Sequence, residues 1–340
     1  MKKFLSLLLC GGWLLAMLAG CASEPTAKPS ADETVENLFT TSPPATEDSA
    51  PTEAEEFPLD GWFHHGFVDK SPLVYAGGEA QIPFKISGEG ALVAAGVGYL
   101  LFLDGRPQPY RLYEGQEYAY LHTIPLVREQ YTNITFSFIP VTGGEGDTLS
   151  LYFLSVHGPN LRPSDGYAFG SAGHVRGFHS VKQVVFQASP PAQTLPEVPE
   201  RVLSWSARYV DALPEDTEGW SAQDLLEKTA YRTAINDEKE NGTIPLQPGE
   251  QVKVQQEIWG APGAQFSILC YINGQPVSIR EENLIFTENQ QGKRLELEIN
   301  LDISDIEEEA VLYVITIARN APQISDMEYS SGRTYSFIIQ

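Results

Sequence analysis

Cysteine is scarce in this chain, three residues in 340, so a small fold stapled by disulfides is excluded. Basic residues are short too: 22 Lys and Arg stand against 45 Asp and Glu, a formal net charge of -23. Nucleic-acid binding and electrostatic adsorption to anionic lipid both need basic patches, and this balance argues against each. Long helical periodicities are few, which points away from a helix-built fold. Catalytic signatures are missing as well. Phe169–Gly173 lacks the first glycine of a nucleophile elbow, and there is no Ser-x-x-Lys pair, no phosphate-binding glycine loop and no His-Glu-x-x-His. Nothing implies a cofactor.

What is present begins at the N-terminus. Lys2 and Lys3 precede an apolar run from Phe4 to Leu18 that ends in small residues, the layout of an export signal. The run is shorter than the roughly 20 residues needed to span a bilayer, and a polar stretch follows it. Leu18-Ala19-Gly20-Cys21 resembles the lipobox of bacterial lipoproteins. That resemblance implies cleavage of residues 1–20 and lipidation of Cys21, a palmitate-bearing anchor on the extracytoplasmic face of the cell membrane. Each buried methylene contributes about 0.8 kcal/mol and one acyl chain anchors only marginally, so two or three chains are needed for durable attachment. Cys10 then leaves with the signal, and Cys270 is the one remaining thiol. Within the apolar run Phe266 to Ile272 it reads as a buried packing residue.

Residues 21–57 are rich in Pro, Ser, Thr, Asp and Glu, with Lys28 the sole base after the lipidated cysteine. Such a segment cannot bury enough apolar surface to offset its ordering entropy, so it is expected to be a disordered tether.

The remainder reads as a duplication. Tyr99–Arg111 aligns without a gap to Ile268–Arg280, each an apolar strand running into Asp104-Gly105 or Asn273-Gly274 and then a second strand. Both central residues of a type I′ turn need positive φ, so these dipeptides predict tight hairpins. Upstream, Gly78–Ile86 corresponds to Gly249–Ile258; downstream, Ile134–Ile139 and Leu295–Leu301 both alternate at period two. Leu149–Val156 and Val311–Ile317 are more apolar and so predicted central, and Val181–Gln187 and Thr334–Ile339 close the halves. The predicted class is all-β: tandem β-sandwiches spanning 58–190 and 201–340, joined by a proline-rich linker at 191–200. They are similar to the immunoglobulin-like sandwiches of bacterial surfaces, without the Cys and Trp spacing of antibody domains. A helix is expected over Ser221–Arg232 from its serine cap and alanine-rich run.

Candidate site residues follow from side-chain chemistry. Tyr110, Tyr113, Tyr118, Tyr120 and His122 lie in an inserted loop, and aromatic faces on such a loop could bind a protein, peptide or glycan of the envelope. His64, His65, His174 and His179 could hold zinc or copper if folding joined them, with Asp69 or Asp165 completing the set. Asp216–Asp224 is an acidic turn that could coordinate calcium, although it departs from the EF-hand pattern. Two functional classes follow: a non-catalytic binding or structural module, or an extracellular hydrolase or metal-dependent enzyme using the histidine-rich half.

Overall fold

The computed structural model describes residues 63–90, 92–160, 175–211, 229–236, 243–244, 251–306, 310–319 and 333–339. Cys21, the tether and the signal segment lie outside these, as do His174, Asp165 and Asp216–Asp224. The first half builds eight strands: β1 (Phe63–Phe67), β2 (Leu73–Tyr75), β3 (Ala80–Gly88), β4 (Val97–Leu103), β5 (Arg106–Pro107), β6 (Thr132–Phe138), β7 (Thr148–His157) and β8 (Val175–Phe186). They form two sheets, ordered β1-β3-β6 and β2-β8-β7-β4-β5. All pairings are antiparallel except β2 with β8. Successive strands pass between the sheets in the manner of an immunoglobulin-like sandwich.

The second half repeats this arrangement. Its strands are β9 (Val202–Asp211), β10 (Thr229–Ile235), β11 (Thr243–Ile244), β12 (Gln251–Gly260), β13 (Gln265–Ile272), β14 (Gln275–Pro276), β15 (Ile285–Glu288), β16 (Lys293–Asp302), β17 (Ala310–Ala318) and β18 (Arg333–Ile339). The sheets are ordered β10-β12-β16-β9 and β11-β18-β17-β13-β14, with β15 beside β13. β10 to β14 occupy the places of β1 to β5, and β16 to β18 those of β6 to β8. β9 and β15 are additions. Thr229–Arg232, expected to end a helix, instead opens β10, because its register on β12 extends the sheet from Gly260 to Val254. Both hairpin turns have the predicted geometry, with Asp104 and Gly105 at φ 48° and 73° and Asn273 and Gly274 at 50° and 78°.

Burial patterns separate two kinds of strand. β12 and β16 alternate buried and partly exposed residues, as sheets with one wet face do, whereas every residue of β4 and β17 is buried. Phe84, Tyr99, Phe136 and Phe153 lie between the sheets of the first sandwich, and Val254, Phe266, Leu297 and Val314 between those of the second. A third apolar cluster lies between the sandwiches. The outer faces of the β4/β7 and β13/β17 sheets pack on each other there, so the chain forms four stacked layers. Registers of β4 on β7 and β13 on β17 put Leu100, Phe102, Tyr152, Leu154 and Val156 in the places of Leu269, Tyr271, Tyr313, Ile315 and Ile317. All ten belong to the shared cluster. Phe102 meets Tyr271 edge to face, with ring centroids 5.8 Å apart.

The turn glycines belong to the same contact. A Cβ on Gly105 would strike Ser267, and one on Gly274 would strike Leu121, each in the opposite sandwich. Arg319 Nη2 donates to Asp104 Oδ2 over 2.6 Å, and the Arg106 guanidinium forms a two-pronged ion pair with Glu281.

Candidate binding surfaces

The inserted loop runs from β5 across the free edge of β6, touching it through a bridge between Arg111 and Ser137. Gln108 is fully buried; its amide nitrogen donates to Ile139 O and its oxygen accepts from Val141 N–H. Tyr110 is also buried, and its hydroxyl donates to Tyr99 O over 2.9 Å. Arg111 donates to both oxygens of Glu79 over 2.7 and 2.8 Å, and the Tyr118 hydroxyl donates to the same carboxylate. Those bonds hold the Glu79 carboxyl below its ordinary range, while burial followed by the nearby carboxylate pushes Tyr118 up to about 12. His122 pairs through its ring nitrogens with Tyr110 O at 2.8 Å and Gln116 Nε2 at 3.1 Å. Burial lowers its pKa, partly opposed by the Tyr110 carbonyl.

The expectation of an exposed aromatic platform is therefore corrected. Tyr110 and Tyr120 are buried, Tyr118 and His122 are half-buried, and Tyr113 alone of these five is exposed. A ring fills apolar space as readily as it offers a face, and here the rings fasten a strap over the sheet edge.

The histidines divide by strand geometry. His64 and His65 are consecutive in β1, so their side chains leave opposite faces. His65 turns inward, with Nδ1 2.7 Å from the Tyr99 hydroxyl and its ring against Phe84, while His64 is exposed. The two cannot act as a ligand pair. His179 is in β8, where only the backbone is described, and Asp69 is exposed and accepts from Ser71 N–H. Among the described residues no group of three potential metal ligands assembles. Cys270 is buried as expected, and burial pushes its thiol up to about 12, so it is neither accessible nor ionised near neutrality.

No sequence motif marks the surface on the outer side of β10-β12-β16-β9, which holds an open cavity of about 680 Å³. Strand registers align Arg232, Glu257, Glu296 and Arg208 in one row across the sheet. The next row is Ala234, Gln255, Glu298 and Ser206, whose small outer members leave a trough. Arg232 bonds Glu257 over 2.9 Å, and Arg208 and Arg294 both bond Glu296. Burial would raise the Glu296 carboxyl, but these two guanidinium groups outweigh it and hold the pKa low. Glu298 and Gln255 line the trough without a hydrogen-bond or ion-pair partner among the described residues. Such unused polar groups can serve a ligand.

No protein-family model matches the chain, and no curated protein matches it. Among solved structures, the fibronectin(III)-like modules of Clostridium thermocellum CbhA are 9% identical, covering 81% of this chain and 93% of that one at a TM-score of 0.19. The collagen adhesin of S. aureus is 9% identical over 82% and 91%, TM-score 0.20. The C-terminal domain of BspA, an AgI/II polypeptide of Streptococcus agalactiae, is 8% identical over 82% and 99%, TM-score 0.19. With TM-scores this low the three share no whole-chain frame with this protein, whose architecture stands on its own strand pairing.

Proposed function

We propose that this chain is a bacterial lipoprotein, anchored by lipid on Cys21 to the extracytoplasmic face of the cell membrane. Its folded body acts there as a non-catalytic module that binds a partner protein of the envelope. The order of basic residues, apolar run and lipobox supports the anchor, and the acidic tether gives the body reach from the membrane. The observation that carries the binding reading is the trough. One sheet of each sandwich is spent on the contact between them, whereas β10-β12-β16-β9 keeps an open concave face on which Glu298 and Gln255 have no partner among the described residues.

The anchor is tested by labelling cells with radioactive palmitate. Label on the wild type and none on Cys21→Ala, which then appears in the soluble fraction, is the expected result; equal labelling would refute lipidation. The surface is tested by placing a photo-crosslinking amino acid at Ser206, in the trough, or at Tyr131, exposed on the first sandwich. A discrete envelope-protein adduct should form from Ser206, should vanish with Glu298→Lys and should be missing from Tyr131. The same adducts from both positions, or none from Ser206, would remove the trough from the partner-binding surface.

A further inference from the structure

We propose that the open edge of β9 accepts an extended segment of a partner protein as an added strand, with one apolar side chain flanked by lysine or arginine. This rests on the outer sheet of the second sandwich being the partner-facing surface, and it names the chemistry that its border recognises. β9 is ten residues long and contains no Lys, Pro or Gly. Edges are commonly protected by lysine, proline or a covering loop, and an edge without them is a template for another strand. β16 pairs with one side of β9, and among the described residues nothing pairs with the other. The matching edge of the first sandwich, on β6, is crossed by the strap.

The side chains of β9 supply selectivity. Trp205, Ala207 and Tyr209 sit opposite Ile299, Leu297 and Leu295, and residues directly across a ladder share a face. All three therefore lie in line on the side of the core. Trp205 Nε1 donates to Glu282 O over 3.2 Å and the Tyr209 hydroxyl donates to Glu288 O, so both rings are fixed before any partner arrives. They nonetheless remain 39% and 37% exposed. Ala207 between them leaves a slot. An added strand presents every second side chain to that face, so one apolar side chain can lie over Ala207 with its neighbours over the rings. The Glu288 carboxylate accepts from Gln265 Nε2 over 3.0 Å within its own sheet, and the chain as a whole carries a net charge of -23. Cations beside the apolar residue would lie over the faces of Trp205 and Tyr209 on a strongly acidic chain.

The probe is the peptide acetyl-Thr-Lys-Thr-Ile-Thr-Lys-Thr-amide, titrated into the full chain while tryptophan fluorescence and backbone amide exchange are read. Saturable binding, slowed exchange confined to β9, and binding weakened about tenfold or more by Ala207→Arg are expected. The same loss is expected when glutamate replaces lysine in the peptide. N-methylation of the peptide backbone, which leaves the protein untouched, should abolish binding independently of any variant. Absence of saturation, equal binding of the lysine and glutamate peptides, or protection away from β9 would overturn the proposal. So would sedimentation showing a dimer of the full chain that Ala207→Arg dissociates, since the edge would then be filled by a second copy. A Ser206 adduct without peptide binding would end the strand-addition proposal while leaving the trough in place.

Discussion

The two sandwiches use one strand plan but finish the same edge differently. In the first, β6 is crossed by a loop fastened through Tyr110, Arg111, Tyr118 and His122. In the second, β16 is extended by β9, whose other edge is paired with nothing among the described residues. The shared plan lies in the cores and the contact between them. The difference lies where the chain meets solvent, so the second half is where a partner has room to add.

Breaking what the halves share should have the largest effect. Tyr152→Ala and Tyr313→Ala, at equivalent positions in the shared cluster, should each cost about 3–5 kcal/mol in urea unfolding. Because both remove packing from one cluster, the double variant should cost less than the sum. Strict additivity would mean that the sandwiches unfold without regard to one another.

Next come the turns. Gly105→Ala and Gly274→Ala place a Cβ at positive φ and against the opposite sandwich, and about 1–3 kcal/mol is expected from each. A loss under 0.5 kcal/mol for either would show that the contact yields easily at that turn.

The smallest effect sharpens the edge comparison, and it depends on pH. Burial lowers the His122 pKa from 6.5, so the folded strap binds fewer protons than the unfolded chain. Its contribution is full above pH 6.5 and declines as pH falls toward the folded value. Glu79, also lowered, contributes above pH 4.5 and weakens only as pH falls through its own folded value. Between those limits the protection of amides at the β6 edge, relative to their intrinsic exchange rates, should fall while that of β9, which has no histidine, holds steady. His122→Gln should remove the change. An equal loss of protection on both edges would mean that the strap does not set the response.

Much of this was legible in the sequence. Asp104-Gly105 and Asn273-Gly274 fixed the hairpins because few residues tolerate positive φ, and the aligned segments around them gave the duplication. The apolar runs in β7 and β17 marked central strands, but a run buried on both sides does not say what covers the second face. That covering is the other sandwich. Aromatic content likewise says nothing of direction, so Tyr110 and Tyr120 read as a platform when they are anchors. β9 leaves no pattern in the sequence because Val202–Asp211 has no fully buried side to impose one.

Phe102 touching Tyr271 has a meaning beyond packing. A residue that meets its own counterpart lies beside a two-fold axis, and the matched cluster around it is an isologous interface within one polypeptide. In a symmetric homodimer every substitution appears twice, so a loop that seals one edge seals both. Joined in tandem, the halves keep the self-complementary seam while each edge is free to change alone.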